Sequence, residues 1–497
     1  MSDEESVEDI LASESLTLEV ARTIIRAQQK QIAELRAIID ELQKRNPTQR
    51  LDESYSAEAE AKRKASEDKA AARKKKRAER KNKKNNRRVR MTTDEKVKLA
   101  TRVENVFPIS RTEDECRFSH TRVAWRLENG RAALIAYKIF RRGNEFGKPD
   151  GLVGRSEFGI EIMIALAYQV YVIGVSIDKA CQLLNFFEQL PLRKSQADAL
   201  LNQLARAWET QFETLCSLLA CEAIVHSDET SWSINSVWAF LSERLTVLFY
   251  GVHKDAATLA EILDKNQFSG TLFSDNAAVY QGFDSSQKCW AHLIRKAIKL
   301  TLQDPENPTY RQFADELILI YRDAKKAATD NRLRECGRRK RVTELDDRVT
   351  ICCMPGWTNQ DVGGEGTAND YHRLCNEIMK LMVDRELFVF VKLGQDDGTN
   401  NASERQLRDD AMARRTGRTS KTPRGARRQS IISSVLQSIG KQLSKFQLQS
   451  VIDEVARWNA VGQSCFETMR ETLSEQPSSS PPDRSGILHR IILKADA

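Results

Sequence analysis

Two short apolar runs that each end in an aspartate constrain the fold of this chain most. Residues 223–227 lead into Asp228, and residues 271–274 lead into Asp275. Runs of this length, bounded by polar or glycine positions, predict β-strands. Further strands are predicted at 236–241 and 245–250, with a helix at 255–263. The pattern before this point is helical from about 157 to 220. We therefore expect a helical region at 157–221 that is followed by an α/β domain.

A third acid, Glu404, lies near the start of a predicted helix, directly after Asn400 and Asn401. The two asparagines are placed to cap that helix or to fix its entry. Carboxylates brought together from two strands and a helix can hold hard cations such as Mg²⁺. Two such ions stabilise the attacking and leaving oxygens in phosphodiester displacement. In a basic chain, this cluster indicates an enzyme that cuts and joins nucleic acid.

These acids lie within a wider pattern of short motifs. The pattern is Asp228-Glu229-Thr230 with Trp232 and Trp238, Asp275 with Tyr280, Cys289-Trp290-Ala291-His292, and Asn400-Asn401 with Glu404-Arg405. In order and spacing it resembles the transposases of the insertion sequence sixty-six family, over residues from about 157 to 458. The resemblance implies a DDE enzyme with Asp228, Asp275 and Glu404 as catalytic and metal-binding residues.

The resemblance also implies a fold and a set of ligands. We expect an α/β ribonuclease-H-like core at 222–458, with a helical insertion at about 297–386, a helical N-terminal region and an N-terminal coiled coil. Two Mg²⁺ or Mn²⁺ ions would serve the three acids. DNA, both transposon ends and target, would be the substrate, and relatives often have accessory proteins. Such an enzyme would act in the bacterial cytoplasm, at the nucleoid.

The implied reaction is in-line displacement at phosphorus. Water attacks at the transposon end, and the freed 3′-hydroxyl then attacks target DNA. One alternative is a non-catalytic DNA-binding or domesticated protein derived from a transposase, although all three acids are present. Another alternative is a structure-selective nuclease of the same fold that does not join strands.

The positive charge of the chain is concentrated in one segment. The net charge is +8, yet residues 61–90 hold 16 Lys or Arg against 3 Asp or Glu. The densest run is Arg73, Lys74, Lys75, Lys76 and Arg77. Such a tract binds DNA phosphates in a salt-dependent way that is largely blind to sequence. The alternative is a solvated, disordered linker, because like charges repel each other. We assign residues 48–96 to this basic linker.

A second row of basic residues follows Glu404. It contains Arg405, Arg408, Arg414, Arg415, Arg418 and Lys421, with Arg424, Arg427 and Arg428 beyond. The guanidinium fork suits phosphate oxygens, so this row predicts contact with the DNA backbone. The alternative is a salt-bridged surface, because Asp409 and Asp410 lie within the row.

Apolar residues at heptad spacing mark residues 1–47 as a coiled-coil helix that ends at Pro47. One position of the heptad holds Leu18, Ile25, Ile32 and Ile39, and the position three residues later holds Ala21, Gln28, Leu35 and Leu42. The pattern predicts a homo-oligomer. A single amphipathic helix packed on the rest of the protein is the alternative.

Two Cys/His pairs are candidate zinc ligands or packing residues. Cys289 and His292 form one pair, and His372 and Cys375 form the other. Each pair places its members one helical turn apart, so both pairs together could supply four ligands to Zn²⁺. The alternative is that they pack or hydrogen-bond, and that Cys289 and His292 support the active site without metal.

The remaining segments are less informative. Residues 97–156 form a small module of unclear fold whose Cys116 and His120 cannot complete a zinc site. Residues 459–497 resemble a linker and an apolar tail. No run of about 18 apolar residues predicts a membrane span. The 10 scattered cysteines and the absence of a secretory signal predict reduced thiols in the cytoplasm.

Overall fold

The computed structural model describes residues 91–109, 111–358, 362–394, 397–475 and 481–493. The coiled coil predicted at 1–47 and the basic run Arg73–Arg77 lie outside these ranges, so both stay predictions. The described residues form a mixed α/β structure with one four-stranded and one five-stranded sheet. None of their helices has the length and apolar character needed to cross a bilayer.

The module at 97–156, whose fold the sequence left open, contains the four-stranded sheet. It follows a short capped helix, α1 (Thr93–Lys98). Its strands are β1 (Arg102–Val106), β2 (Arg117–Glu128), β3 (Arg131–Arg142) and β4 (Glu145–Phe146). β2 and β3 form an antiparallel hairpin through Asn129 and Gly130, whose φ angles are 49° and 75°. Asn-Gly favours this turn because both residues tolerate positive φ.

Four helices follow, in the region 157–221 where helices are predicted. They are α2 (Ile160–Tyr171), α3 (Ile177–Glu188), α4 (Lys194–Ala207) and α5 (Glu209–Leu219). Their apolar faces share one buried core with the five-stranded sheet. For example, the rings of Phe212 and Phe249 meet edge to face with centroids 5.5 Å apart. These helices thus form a packed layer against the sheet.

The five-stranded sheet has the order β7-β6-β5-β8-β9. Its strands are β5 (Ile224–Ser231), β6 (Ser236–Leu241), β7 (Thr246–Val252), β8 (Thr271–Ser274) and β9 (Ser286–Lys288), with α6 (Ala256–Ile262) between β7 and β8. β5, β6 and β7 are antiparallel neighbours, whereas β8 and β9 run parallel to β5. β5 extends past its predicted end because it continues to pair with β6 as far as Ser231.

Five helices follow β9. They are α7 (Trp290–Gln303), α8 (Pro308–Thr329), α9 (Glu335–Cys353), α10 (Thr367–Val383) and α11 (Val389–Leu393). Their buried residues form a second core, which is distinct from the first. α9 lies within the helical insertion predicted at about 297–386 and runs as far as Cys353. The helix continues because Leu345, Val349 and Cys353 keep the helical spacing of Val342 and are buried with it.

The C-terminal part of the chain is helical and packed. It contains α12 (Asn401–Arg415), α13 (Pro423–Gln442), α14 (Leu448–Val461), α15 (Cys465–Ser474) and α16 (Ile487–Leu493). Within the predicted C-terminal linker and tail at 459–497, the described residues 459–475 and 481–493 contain the end of α14, α15 and α16. Phe466 of α15 and Ile487 and Leu488 of α16 are buried in the first core. Burial of these apolar side chains explains why the segment is held against the domain.

Serine hydroxyls of α13 bond the outer edge of β7. Ser430, Ser434 and Ser438 lie one turn apart and accept hydrogen bonds from the backbone N–H groups of Tyr250, Leu248 and Thr246, at 2.9, 2.8 and 3.0 Å. At the opposite edge, the Gln287 side chain of β9 donates to Leu387 O at 2.9 Å and accepts from Phe390 N at 3.1 Å. Both outer strands therefore have partners for their backbone or side-chain polar groups.

Candidate active site

Asp228 lies on β5, two residues past the last pair that β5 forms with β8. That pair is His226 with Phe273, and the strands are parallel. The same register, continued by two residues, sets Asp228 beside Asp275. On its other side, Asp228 pairs with Ala239 of β6. The two aspartates therefore lie side by side on neighbouring parallel strands, with Asp228 within β5 and Asp275 just past the end of β8.

The turn after β8 holds Asp275 in place. Its side-chain Oδ1 accepts a hydrogen bond from Ala277 N at 3.0 Å, and its carbonyl accepts one from Ser274 Oγ at 3.0 Å. The buried Lys288 of β9 donates to Ser274 Oγ at 3.3 Å. Burial lowers the pKa of Lys288, against the raising effect of Glu386 and then Asp275. The Lys288 side chain is thus buried beside the turn that carries Asp275.

Glu404 reaches the same region because Asn400 binds the start of α12 to β5. Asn400 Nδ2 donates to Ser227 O, the residue before Asp228, at 2.7 Å. Its backbone N–H donates to Cys289 Sγ at 3.1 Å. The side chain does not cap the helix, which was one of the predicted roles. It performs the other role, because it fixes the entry of α12 against the strand that carries Asp228.

The electrostatics of Asp228 connect the three acids. Burial raises the pKa of Asp228 from 3.8 to about 7, and the negative charges of Glu229, Asp275 and Glu404 add to this effect. A hydrogen bond from Glu229 N to Asp228 Oδ1, at 2.9 Å, acts in the opposite direction. The three acids offer only oxygen donors, which are the ligands that a hard divalent cation such as Mg²⁺ or Mn²⁺ prefers. Their ligand atoms do not all lie within 4.8 Å of one another, so they do not form a closed metal-binding group in this structure.

Beside Asp228, a buried polar network surrounds Glu229. Lys254 Nζ lies 2.5 Å from Glu229 Oε1, and the Tyr280 hydroxyl donates to Glu229 Oε2. The hydrogen bond with Glu229 raises the pKa of Lys254, and Asp275 and Asp228 contribute further. Sequence reasoning included Glu229 and Tyr280 in the motif pattern, but it missed Lys254. No local signal marks this residue, because only the fold brings it to the acids.

The sequence matches the family model described as "Transposase IS66 family" over residues 155–428, which is more than half of the chain. The chain belongs to the IS66 transposase family. This confirms the resemblance, although the match ends before the predicted limit at 458. Membership implies a role in DNA transposition, DNA binding and an activity of the polynucleotidyl transferase type. No curated protein matches the chain.

In this IS66 family member, the two candidate zinc pairs lie in different places. Cys289 and His292, at the start of α7, approach Glu404, and one ligand atom from each of the three lies within 4.8 Å of the others. His372 Nδ1 instead lies 2.7 Å from Gly356 O, and Cys375 is buried in the core of the insertion helices.

No cluster of three or more ligands within the described ranges includes His372 or Cys375. The structure therefore does not bring the two pairs together, because Cys375 is buried in the second core while Cys289 and His292 lie beside Glu404. Cys289 instead accepts the Asn400 N–H, which fits the alternative that this motif supports the active site.

The basic row after Glu404 divides into exposed and structural residues. Arg405, Arg408, Arg414, Arg415, Arg418 and Lys421 are exposed. Arg414 and Arg418 also donate to backbone carbonyls, of Ser231 and Gly174, at 2.9 Å each. Arg427 and Arg428 pair with Glu209 and Asp198.

Asp409 and Asp410, the two acids within this row, do not pair with its arginines. Asp410 is buried and accepts a hydrogen bond from the Tyr250 hydroxyl at 3.0 Å. Burial raises the pKa of Asp410 to about 7. No ion pair within the described ranges joins Asp409 or Asp410 to an arginine, so the exposed cations of α12 remain available to an anionic partner.

Proposed function

We propose that this protein is a DNA transposase that cleaves transposon ends and transfers the strands to target DNA, with Asp228, Asp275 and Glu404 as its catalytic carboxylates. One observation carries the proposal. These acids are distant in sequence, yet the register of β5 and β8 sets Asp228 beside Asp275, and Asn400 holds the start of the helix that carries Glu404 to Ser227 O at 2.7 Å. Burial, with the charges of Glu229, Asp275 and Glu404, also raises the pKa of Asp228 to about 7, and perturbed carboxylates of this kind are typical of functional sites.

The sheet supports a second part of the proposal, that the core is ribonuclease-H-like. Three antiparallel strands are followed by two parallel strands, in the order β7-β6-β5-β8-β9. Asp228 on β5 and Asp275 after β8 occupy neighbouring strands of this sheet. This arrangement is the one that the family resemblance implies for a DDE enzyme.

Asp228, Asp275 and Glu404 would hold the metal ions. Bound there, two Mg²⁺ or Mn²⁺ ions supply electrostatic stabilisation to the attacking and leaving oxygens of a phosphodiester. Arg295 Nη2 donates to Glu404 Oε1 at 2.6 Å and so orients that carboxylate. Asn400 positions the helix that carries it.

The exposed arginines of α12 would contact DNA. Arg405 and Arg408 follow Glu404 within about one helical turn, so phosphates bound to them lie close to the acids. Their contacts would add affinity without base specificity. The basic run Arg73–Arg77 lies outside the described residues and remains a proposed second contact, which would also be salt-dependent.

A cleavage assay tests the proposal. The substrate is DNA that carries the inverted repeats flanking the gene, with Mg²⁺ or Mn²⁺ present. Asp228→Asn, Asp275→Asn and Glu404→Gln should each abolish cleavage and strand joining while DNA binding persists. Asp284→Asn removes one exposed acid from the loop between β8 and β9 and should leave cleavage intact.

Three results would contradict the proposal. Cleavage at the wild-type rate by the three variants would remove these acids from catalysis. Binding without any cleavage by the wild type would instead support the non-catalytic DNA-binding protein. Cleavage without joining would identify a nuclease of the same fold.

A further inference from the structure

Cys289, His292 and Glu404 form a compact group of three different metal ligands. A thiol, an imidazole and a carboxylate oxygen lie within 4.8 Å of one another. Within the described ranges, no other Cys, His, Asp and Glu side chains form such a group of three or more. Cys289 and His292 come from the first turn of α7, and Glu404 comes from the first turn of α12.

We propose that Cys289, His292 and Glu404 bind one Zn²⁺ ion, or a similar transition-metal ion, and that this ion competes with Mg²⁺ for Glu404. The competition rests on the proposed function, whereas the binding site does not. Thiolate and imidazole favour Zn²⁺ over Mg²⁺, which prefers oxygen ligands. Three protein ligands and one open position make a four-coordinate zinc site of the open kind.

Cys289 is suited to become a thiolate when metal binds. Its side chain is 2% exposed, and its sulfur already accepts the Asn400 N–H at 3.1 Å. Cys289 also lies at the N-terminus of α7, where the helix dipole favours negative charge. Burial nevertheless raises the thiol pKa in the metal-free protein. Metal binding therefore has to release a proton, as it does at other cysteine sites.

His292 and Glu404 have lone pairs to offer. His292 Nδ1 is buried without a hydrogen-bond partner and lies 3.6 Å from Glu404 Oε1. Burial and then Arg295 lower the His292 pKa. Arg295 occupies only part of the Glu404 carboxylate, which has two oxygens and several lone pairs. A bound cation would also satisfy the orphaned nitrogen of His292.

Co²⁺ spectroscopy tests the site directly. Chelator-stripped full-length protein receives one equivalent of Co²⁺, and thiolate coordination is read from its charge-transfer absorption. We expect this band in the wild type, and we expect Zn²⁺ to remove it by displacement. Cys289→Ser should lose the band, and His292→Gln should weaken cobalt binding. Cys336→Ser, at an exposed cysteine on α9, is the matched control and should retain the band.

Thermal unfolding of each variant shows whether it is folded. If Cys289→Ser does not fold, weaker cobalt binding by His292→Gln tests the site instead. A wild type without the band, or a Cys289→Ser variant that keeps it, would overturn the zinc site. In the cleavage assay, Zn²⁺ should inhibit the wild type. The same Zn²⁺ concentration should remove a smaller fraction of the cleavage rate of His292→Gln, measured against the rate of that variant without Zn²⁺. Equal sensitivity of the two proteins would overturn the competition.

The two proposals can fail separately. A Cys289-dependent cobalt band in a protein that never cleaves DNA would retain the zinc site and reject the transposase activity. Cleavage that depends on Asp228 in a protein without the cobalt band would retain the transposase activity and reject the zinc site.

Discussion

At the scale of single residues, Asp228 links the active site to stability. Its pKa is about 7 in the folded chain and 3.8 in its unperturbed state. Between these values the folded state binds more protons than the unfolded state. Stability therefore falls as the pH rises from about 4 to 7, and the loss is complete above pH 7. An ionised Asp228 destabilises the metal-free protein, and a bound cation would reverse this effect.

We expect Asp228→Asn to raise the thermal unfolding midpoint of the metal-free protein at pH 8, because the amide carries no charge to bury. The difference from wild type should be smaller at pH 5, where the folded wild type keeps the proton. Differential scanning calorimetry at both pH values measures this, with Asp284→Asn as the control. A lower midpoint for Asp228→Asn than for wild type at pH 8 would contradict the explanation.

Sequence reasoning singled out the three acids and several of their neighbours, but it missed Lys254 and Arg295. Asp228 and Asp275 were found because apolar strands precede them, and Glu404 because it starts a helical pattern. Lys254 and Arg295 contact Glu229 and Glu404 only through the tertiary fold. Neither has a local motif, so no spacing rule could have indicated them. The same limit explains why His372 and Cys375 looked equivalent to Cys289 and His292.

At the scale of secondary-structure elements, α13 stabilises the edge of the five-stranded sheet. Its buried serines replace the hydrogen bonds that a further strand would make to β7. A buried backbone N–H without a partner costs about 1–3 kcal/mol. The hydroxyls of Ser434 and Ser438 also donate to the carbonyls of Leu248 and Thr246. Each serine thus satisfies polar groups that an apolar residue would leave unpaired.

Replacing Ser434 tests this role. Ser434→Ala should leave the N–H of Leu248 without a partner and destabilise the domain by about 1–3 kcal/mol. Hydrogen–deuterium exchange of a peptide covering β7 should become faster, and exchange in the β2–β3 hairpin should not change. Ser444→Ala, at an exposed serine just past α13, is the control. Unchanged exchange in β7 would show that the serine hydroxyl is dispensable.

The elements that were predicted best are those with a strong apolar period. The strands at 236–241 and 271–274 were located within their observed bounds. β9 was missed because its three residues are polar, although all of them are buried. The β2–β3 hairpin was missed although Asn129-Gly130 signalled its turn. Its strands carry many charged residues, which obscured the alternation.

At the scale of the whole molecule, the N-terminal heptads predict how chains associate. Residues 1–47 lie outside the described ranges, so the prediction rests on the sequence alone. Charged substitutions at Ile32 and Ile39 would place unpaired charge in the seam and should separate the subunits. Light scattering should give a lower molar mass for this double variant, and for a chain beginning after Pro47, than for the wild type. Equal molar masses for the three proteins at equal concentration would show that the heptads form only the apolar face of an amphipathic helix.

The hydrogen bonds at the two outer strands of the five-stranded sheet affect how copies of the protein can associate. An open edge strand can pair with the same strand of another molecule, and such pairing leads to aggregation. Here the serines of α13 occupy the β7 edge, and Gln287 links β9 to the segment that holds Leu387 and Phe390. Copies brought together on one stretch of DNA would therefore be less able to join by extending this five-stranded sheet.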